Sequence, residues 1–345
     1  MKHLLVHIGT GKTGSTAIQQ ALSQSEAQLR LQGVHYWGLN LEGADNSNRF
    51  PWQDQSGTGE LQKLNDNVAS RQLEEALMDA LDRLPNGATA VWSNESIYER
   101  PGAYLSLLQG LQSEQVKCTI IAYARSHRDY IGSAYKQWGI KHKTYRGPIL
   151  GFSDWVVARR NFLSYGVKLA QWDATFTDRF RIFNYDTIDD VVKHFNTFLP
   201  AGSDLTPGSH QRVNRSPGPG ILALYALHNS QFKEPVTPEA MVNLLKQFPR
   251  VRQSQPVPAI QSLFPSTAQL DEAERVLKED AELVNSLLRR HGQPAIGQGK
   301  ADAGVPTRNH DEITSDVLAA LMHIIIGQNQ RIIQLEQALL GKEMG

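Results

Sequence analysis

The residues near the start of the chain whose chemistry stands out are a lysine and several hydroxyl side chains among glycines. Lys12 is followed by Thr13, Ser15 and Thr16, and the apolar run 4–8 precedes them. An amphipathic helical pattern comes next, so the sequence predicts a strand, a glycine-rich turn and a helix in that order. In such a turn the backbone N–H groups and the positive end of the helix point to one place. The predicted turn is therefore suited to bind a phosphate group.

The spacing of this turn differs from the loop that binds the phosphates of ATP. That loop needs a glycine five residues before the Gly-Lys pair. Gly11, Lys12 and Thr13 supply its end, but the required glycine position is occupied by Val6 within the predicted strand. An ATP-dependent, kinase-like phosphotransferase remains an alternative, as does a non-catalytic module that binds a nucleotide.

A second group of candidate anion ligands follows another predicted strand. The apolar run 116–123 leads to Arg125, and Ser133 lies eight residues further on, in a predicted helix. An arginine at a strand end can form two parallel charge-assisted hydrogen bonds to a phosphate, and a nearby serine hydroxyl can complete the site.

These two groups resemble the cofactor motifs of sulfotransferases that use 3′-phosphoadenosine 5′-phosphosulfate (PAPS). Residues 12–16 resemble the 5′-phosphosulfate loop, and Arg125 with Ser133 resembles the 3′-phosphate motif. The chain is thus similar to bacterial, carbohydrate-type sulfotransferases. The resemblance implies PAPS as co-substrate without a metal, bound by Gly11, Lys12, Thr13, Gly14, Ser15, Thr16, Arg125 and Ser133.

The same resemblance implies a further cofactor contact late in the chain. In that family a basic, glycine-containing loop closes over the adenosine end of PAPS. Asn214, Arg215 and Ser216 occupy the corresponding place, although the Arg-Lys-Gly sequence of the cytosolic enzymes is absent. Arg215 is therefore a candidate cofactor ligand, the alternative being an ordinary arginine in a linker.

Sulfuryl transfer needs a cation near the bridging oxygen and a base for the acceptor hydroxyl. Lys12 is the candidate cation. Glu95, just after the predicted strand 88–92, is the favoured base, and its alternative role is to partner a helix amino terminus. His35 is the competing candidate, and its alternative role is that of a core histidine.

The order of the elements predicts an α/β fold. Predicted strands near 4–8, 88–92, 116–123 and 180–185, and a short extended piece at 34–38, alternate with helical patterns, including two long ones at 59–84 and 270–290. This order predicts a central parallel sheet flanked by helices, and the resemblance implies the P-loop NTPase-like sulfotransferase form of it. We expect a PAPS-binding core at 1–200, a helical and loop region at 201–310 that completes the site, and a C-terminal amphipathic helix at 311–345.

The C-terminal segment has a strict seven-residue apolar pattern. Such a pattern is typical of a coiled coil, so the segment predicts a homodimer or, alternatively, a helix that docks on its own domain. The positions that alternate at spacings of four and three are Thr314, Leu318, Leu321, Ile325, Gln328, Ile332, Leu335 and Leu339.

Composition limits the partners. Among 345 residues, Lys plus Arg and Asp plus Glu are 35 each, so no net field favours nucleic acid. The single cysteine, Cys118, excludes an internal disulfide, and no apolar run approaches a membrane span. We expect a cytoplasmic enzyme with a small-molecule or glycan acceptor. Trp52, Trp138 and the basic loop near Lys143 would suit a sugar, but the acceptor's identity is not written in the sequence.

Overall fold

The structure is a computed structural model that describes most of the 345 residues. The description covers residues 1–45, 49–54, 58–111, 115–205, 218–230, 232–236, 242–243, 247, 265–297 and 310–343.

Five parallel strands form one sheet in this part of the chain. Each predicted strand is present, and most residues of the central strands are buried, as expected where helices cover both faces of a parallel sheet. The spatial order is β2-β3-β1-β4-β5. The strands are β1 Lys2–His7, β2 Val34–Tyr36, β3 Thr89–Ser93, β4 Val116–Ala124 and β5 Phe180–Asn184.

The register aligns the carboxyl ends of β1 and β3, since His7 pairs with Ser93. On its other side His7 pairs with Ile121, and β4 continues three residues further, to Ala124. The chain leaves β1 towards β2 but leaves β3 in the opposite direction, towards β4. Such a reversal of direction opens a crevice outside the carboxyl ends of the strands, and open α/β sheets bind ligands there. The residues that follow β1, β3 and β4 therefore share one edge of the sheet.

Helices connect the strands and continue after them. A π-helical segment, Tyr135–Lys141, extends α7, and α11 to α15 follow the last strand. The helices are α1 Ser15–Gln24, α2 Glu26–Leu31, α3 Thr58–Lys63, α4 Asp66–Arg83, α5 Ser96–Glu99, α6 Pro101–Gly110, α7 His127–Ala134, α8 Phe152–Ala158, α9 Arg160–Leu163, α10 Gly166–Phe176, α11 Val191–Asn196, α12 Pro219–Asn229, α13 Thr267–Val276, α14 Lys278–Arg290 and α15 His310–Glu343.

The two long helices predicted from the sequence are each divided. Asn65 separates α3 from α4 because its side chain accepts a hydrogen bond from the N–H of Val68, at 3.0 Å, and so caps the second helix. Leu277 likewise separates α13 from α14 with a non-helical backbone. None of the helices described combines the length and the apolar character that crossing a bilayer requires.

The described chain forms two compact units, each made of separate segments. These units do not coincide with the contiguous parts expected at 1–200, 201–310 and 311–345. The first comprises residues 1–130, 161–213 and 277–300, and the second comprises 131–160, 214–276 and 301–345.

The first unit contains the sheet. Its core on one face is a cluster in which Leu5 of β1 and Ile121 of β4 meet Ile18 of α1 and Phe195 of α11, all at most 1% exposed. This packing attaches the helix that follows β1 directly to the sheet, and it sets where that helix begins.

The second unit is helical. Its C-terminal helix α15 packs against α12. Asn229 at the end of α12 donates hydrogen bonds to the carbonyls of Ile140, at 2.6 Å, and Lys141, at 3.1 Å, so α12 is also attached to the π-helical segment.

Candidate functional site

The turn after β1 has an unusual backbone. Gly9, Lys12 and Gly14 have φ angles of +27°, +71° and +82°. The left-handed region costs a non-glycine residue about 1–2 kcal/mol, so Lys12 holds this conformation only because its surroundings impose it. Strained backbone of this kind concentrates at functional sites.

Three hydrogen bonds impose the shape of the loop. Thr10 Oγ1 donates to the carbonyl of Tyr123 on β4, at 2.6 Å, and Thr13 Oγ1 donates to the carbonyl of Thr10, at 2.5 Å. Arg125 Nη1 donates to the carbonyl of Lys12, at 3.1 Å. The hydroxyl proton of Thr13 is therefore used inside the loop, which leaves that residue's backbone N–H as its means of contacting an anion.

Two glycines allow the loop to lie close to its neighbours. A Cβ on Gly9 would lie 2.6 Å from Oγ of Ser15, and one on Gly14 would lie 2.7 Å from Cγ1 of Val191. Real Cβ atoms do not approach other atoms so closely. The glycines of this turn are thus required by packing as well as by their backbone angles.

The start of α1 has the properties of an anion site. Its N-cap residue Gly14 provides no side-chain cap, and its first turn carries no acidic residue. Ser15 is 4% exposed, and its Oγ has no hydrogen-bond partner in the part of the chain described. Lys12 is half-buried beside this helix end, and Thr16 is exposed. Unpaired donors at the positive end of a helix favour a bound anion.

Arg125 links the end of β4 to the loop. Besides its bond to Lys12, its Nη2 lies 3.2 Å from Oδ2 of Asp129, and its Nε lies 4.0 Å from Oδ1 of Asp186. Its guanidinium stands 5.6 Å from the ring centre of Tyr185. An anion that binds Arg125 would share its charge with these two carboxylates.

Asp186 is positioned by the backbone of the same strand end. Its Oδ2 accepts a hydrogen bond from the N–H of Ser126, at 2.6 Å. Burial raises the pKa of the Asp186 carboxyl, while the Ser126 bond and the charge of Arg125 oppose the rise. Sequence reasoning missed this residue because 61 positions separate it from Arg125 and no local pattern joins them.

Glu95 lies at the carboxyl end of β3 and is held by a residue of α1. Gln19 Nε2 donates to Oε2 of Glu95, at 2.9 Å, and to the carbonyl of Ser93, at 3.2 Å. The helix that begins at the loop therefore also positions this carboxylate. Gln19 was not predicted, although it lies only seven residues after Lys12 in the sequence.

A second carboxyl group, Glu99, follows Glu95 by one turn on α5. Burial raises the pKa of Glu99, Lys168 opposes the rise, and Glu95 adds to it. Glu99 was not predicted because only its burial distinguishes it from other glutamates, and that burial comes from the tertiary structure.

His35 lies away from this edge. It pairs with Ala90 in the sheet, and Ala90 pairs with Leu4, so His35 is level with the middle of β1 and two strands away from it. The carboxyl end of β1, at His7, is three residues or about 10 Å further along the strand direction. Burial lowers the pKa of His35, the charge of Arg30 adds to the effect, and Asp45 opposes it. The structure does not bring His35 to the loop.

Of the remaining predicted ligands, one lies in the second unit and one lies outside the described residues. Ser133 is half-buried on α7 and belongs to the second unit, so its pairing with Arg125 stays a prediction. Arg215 falls outside the described residues.

Two of the side chains considered for acceptor binding are buried. Trp52 is 2% exposed and donates from Nε1 to Gln72, at 2.9 Å. Lys143 is 0% exposed, and its ammonium donates to the carbonyl of Phe232. Neither offers a free surface to a sugar, so they do not support the expected contacts.

Comparison of the chain with family models, with curated proteins and with solved structures found no match.

Proposed function

We propose that this chain transfers a sulfuryl group from PAPS to a hydroxyl of an acceptor, as PAPS-dependent sulfotransferases do. One observation carries the proposal. Arg125, at the end of β4, donates a hydrogen bond to the carbonyl of Lys12 in the loop after β1. The two sequence motifs that suggested PAPS are 113 residues apart in the chain, yet they meet at one edge of the sheet.

The residues of the loop fit the anionic end of PAPS. Ser15 supplies a buried hydroxyl without a hydrogen-bond partner in the described chain, and the amino terminus of α1 has no acidic or capping side chain. These groups and Lys12 would hold the 5′-phosphosulfate. Arg125 would contact the 3′-phosphate.

The bound co-substrate supplies an activated sulfuryl group, and the protein supplies a base and a cation. Glu95 would accept the proton of the acceptor hydroxyl as its oxygen bonds to sulfur. Gln19 holds that carboxylate in place through the bond to Oε2. Lys12 would stabilise the negative charge on the phosphate oxygen that leaves sulfur.

Two observations favour this reaction over ATP-dependent phosphoryl transfer. Val6, which stands where the ATP loop needs a glycine, is 0% exposed within β1. Thr13, which follows the loop lysine, directs its hydroxyl to the carbonyl of Thr10. In the ATP loop the corresponding hydroxyl binds Mg²⁺. The acceptor is proposed only as a hydroxyl-bearing small molecule or glycan.

The proposal is tested by thermal unfolding with 3′-phosphoadenosine 5′-phosphate, with AMP, and with ATP plus Mg²⁺. A ligand at 100 times its dissociation constant adds about 2.7 kcal/mol to the free energy of unfolding. We expect stabilisation by the 3′-phosphorylated nucleotide, and we expect Arg125→Ala to abolish it. Each variant is compared with its own unfolding temperature without ligand.

The matched control is Arg83→Ala. Arg83 also pairs with an aspartate four residues away, Asp79, but on the exposed surface of α4. This variant should keep the full stabilisation. Arg125→Lys, which keeps the charge but loses the planar fork, should keep part of it. Stabilisation by ATP with Mg²⁺ instead, or by no nucleotide, would show that the proposal is wrong.

A further inference from the structure

The C-terminal helix α15 uses one face to dock within its own unit. Ala320 is 1% exposed where α15 packs against α12, and Val317 and Ile324 are partly buried. Arg331 donates from Nη1 to Oε1 of Gln247, at 3.1 Å. The docking predicted as an alternative to dimerisation is therefore present within the second unit.

A different face of the same helix carries the seven-residue pattern. Five large aliphatic side chains of this pattern are exposed, and we call them the seam. Their exposed fractions range from 38% to 59%, which is high for large aliphatic residues. The seam consists of Leu318 at 57%, Leu321 at 38%, Ile325 at 59%, Ile332 at 51% and Leu335 at 57%.

Docking on α12 does not account for the seam, since the docked residues lie at other positions of the repeat. A helix that only packs on its own domain needs one apolar face. A second apolar face that keeps strict spacings of three and four fits another helix with the same repeat. Contiguous exposed apolar surface of this kind marks an interaction site.

We propose that the seam binds the seam of a second copy of this chain, in a parallel two-stranded coiled coil. The residue types carry the choice of two parallel strands. Two of the three seam residues at the first apolar position of their repeats are β-branched, Ile325 and Ile332, the other being Leu318. The two at the second position, Leu321 and Leu335, are leucines. β-branched residues at the first position with leucine at the second favour parallel dimers. Gln328, at the second position between them, would face its own copy when the two helices are in register.

The mass of the full chain in solution tests the association. Light scattering after size exclusion should give twice the mass of one chain at micromolar concentration. Ile332→Asp places a charge in the seam and should weaken the dimer at least about tenfold. The control, Gln330→Asp, places the same charge on the exposed side of α15 away from the seam and should leave the dimer intact.

Cross-linking tests the parallel arrangement. The only cysteine, Cys118, is 0% exposed, and burial raises its pKa to about 12, so it should not react. Leu318→Cys lies near the start of the seam and meets its own copy only in a parallel dimer. It should form a disulfide-linked dimer on oxidation, and Gln330→Cys should not.

Three results would overturn the proposal. The first is a monomer, which would mean that another partner or another part of the chain covers the seam. The second is a dimer that Ile332→Asp leaves unchanged. The third is a dimer in which Leu318→Cys fails to cross-link or cross-links no faster than Gln330→Cys.

Discussion

At the scale of single residues, Gly14 is subject to two constraints, of which Gly87 shares only one. Its φ angle is +82°, and that of Gly87, in the turn before β3, is +84°. A Cβ at Gly14 would lie 2.7 Å from Val191, whereas a Cβ at Gly87 would have no atom within 4 Å. The two positions therefore differ in packing but share the backbone conformation.

We expect Gly14→Ala to destabilise the protein more than Gly87→Ala. The left-handed backbone should cost about 1–2 kcal/mol in either variant. The collision with Val191 should add about 1–3 kcal/mol in Gly14→Ala alone. The measurement is the free energy of unfolding in urea. Equal losses would mean that the turn yields to the added methyl group and that its shape is less constrained than the contacts indicate.

At the scale of secondary-structure elements, Asp280 joins three helices. Lying on α14, it accepts hydrogen bonds from the backbone N–H groups of Gly166, at 3.0 Å, and Val167, at 3.2 Å, at the start of α10. It also bonds Nε2 of His127 on α7, at 2.8 Å. Asp280 is 6% exposed, so water cannot readily replace these contacts.

We expect Asp280→Ala to lower the free energy of unfolding by about 3–5 kcal/mol. The change leaves a buried imidazole and two helix N–H groups without their acceptor. Glu282→Ala is the control because Glu282 lies on the same helix, 67% exposed, 3.7 Å from Lys278. It should change stability by less than about 1 kcal/mol. Similar losses of unfolding free energy in the two variants would show that the buried hydrogen bonds of Asp280 do not stabilise the fold.

At the scale of the whole molecule, buried histidines should make the fold sensitive to acid. Burial lowers the pKa of His3, His194 and His35, and it lowers that of His7 to about 3. His7 bonds Ser93 through Nδ1 and is 1% exposed. The unfolded chain takes up these protons near pH 6.5, and the folded chain does so only at lower pH.

Because the unfolded chain binds these protons first, the free energy of unfolding falls as the pH falls. The contribution of His7 to that free energy is fully present above pH 6.5 and is lost as the pH falls towards 3, at about 1.4 kcal/mol per pH unit. We expect about 2 kcal/mol to be lost from this residue between pH 7 and pH 5. His7→Asn retains a polar group near Ser93 but cannot take up the proton, so the loss should shrink by that amount. Parallel pH profiles of unfolding free energy for the two proteins would contradict the assignment.

The sheet was predictable because each strand is a local pattern. Largely apolar stretches of five to eight residues predicted β1, β3, β4 and β5, and a short extended piece after the first helix predicted β2. The divided helices were not predictable in the same way, because the 59–84 and 270–290 patterns continue through Asn65 and Leu277. An N-cap such as Asn65 depends on the direction of one side chain, and the spacing of apolar residues does not predict that direction.

The candidate site was predictable only in part. Lys12, Ser15, Glu95 and Arg125 follow strands, so parallel order alone places them at one edge. Their partners could not be predicted, since Asp186 reaches Arg125 from a distant segment.

By itself, therefore, the sequence determined the α/β class, the loop after β1 and the apolar repeat of α15, because each depends on local chemistry and spacing. Only the tertiary structure decided that His35 lies far from the loop, that Trp52 is buried and that the seam stays exposed while another face of α15 docks. Those outcomes depend on strand order and on packing between segments that are distant in the chain, and no local pattern contains them.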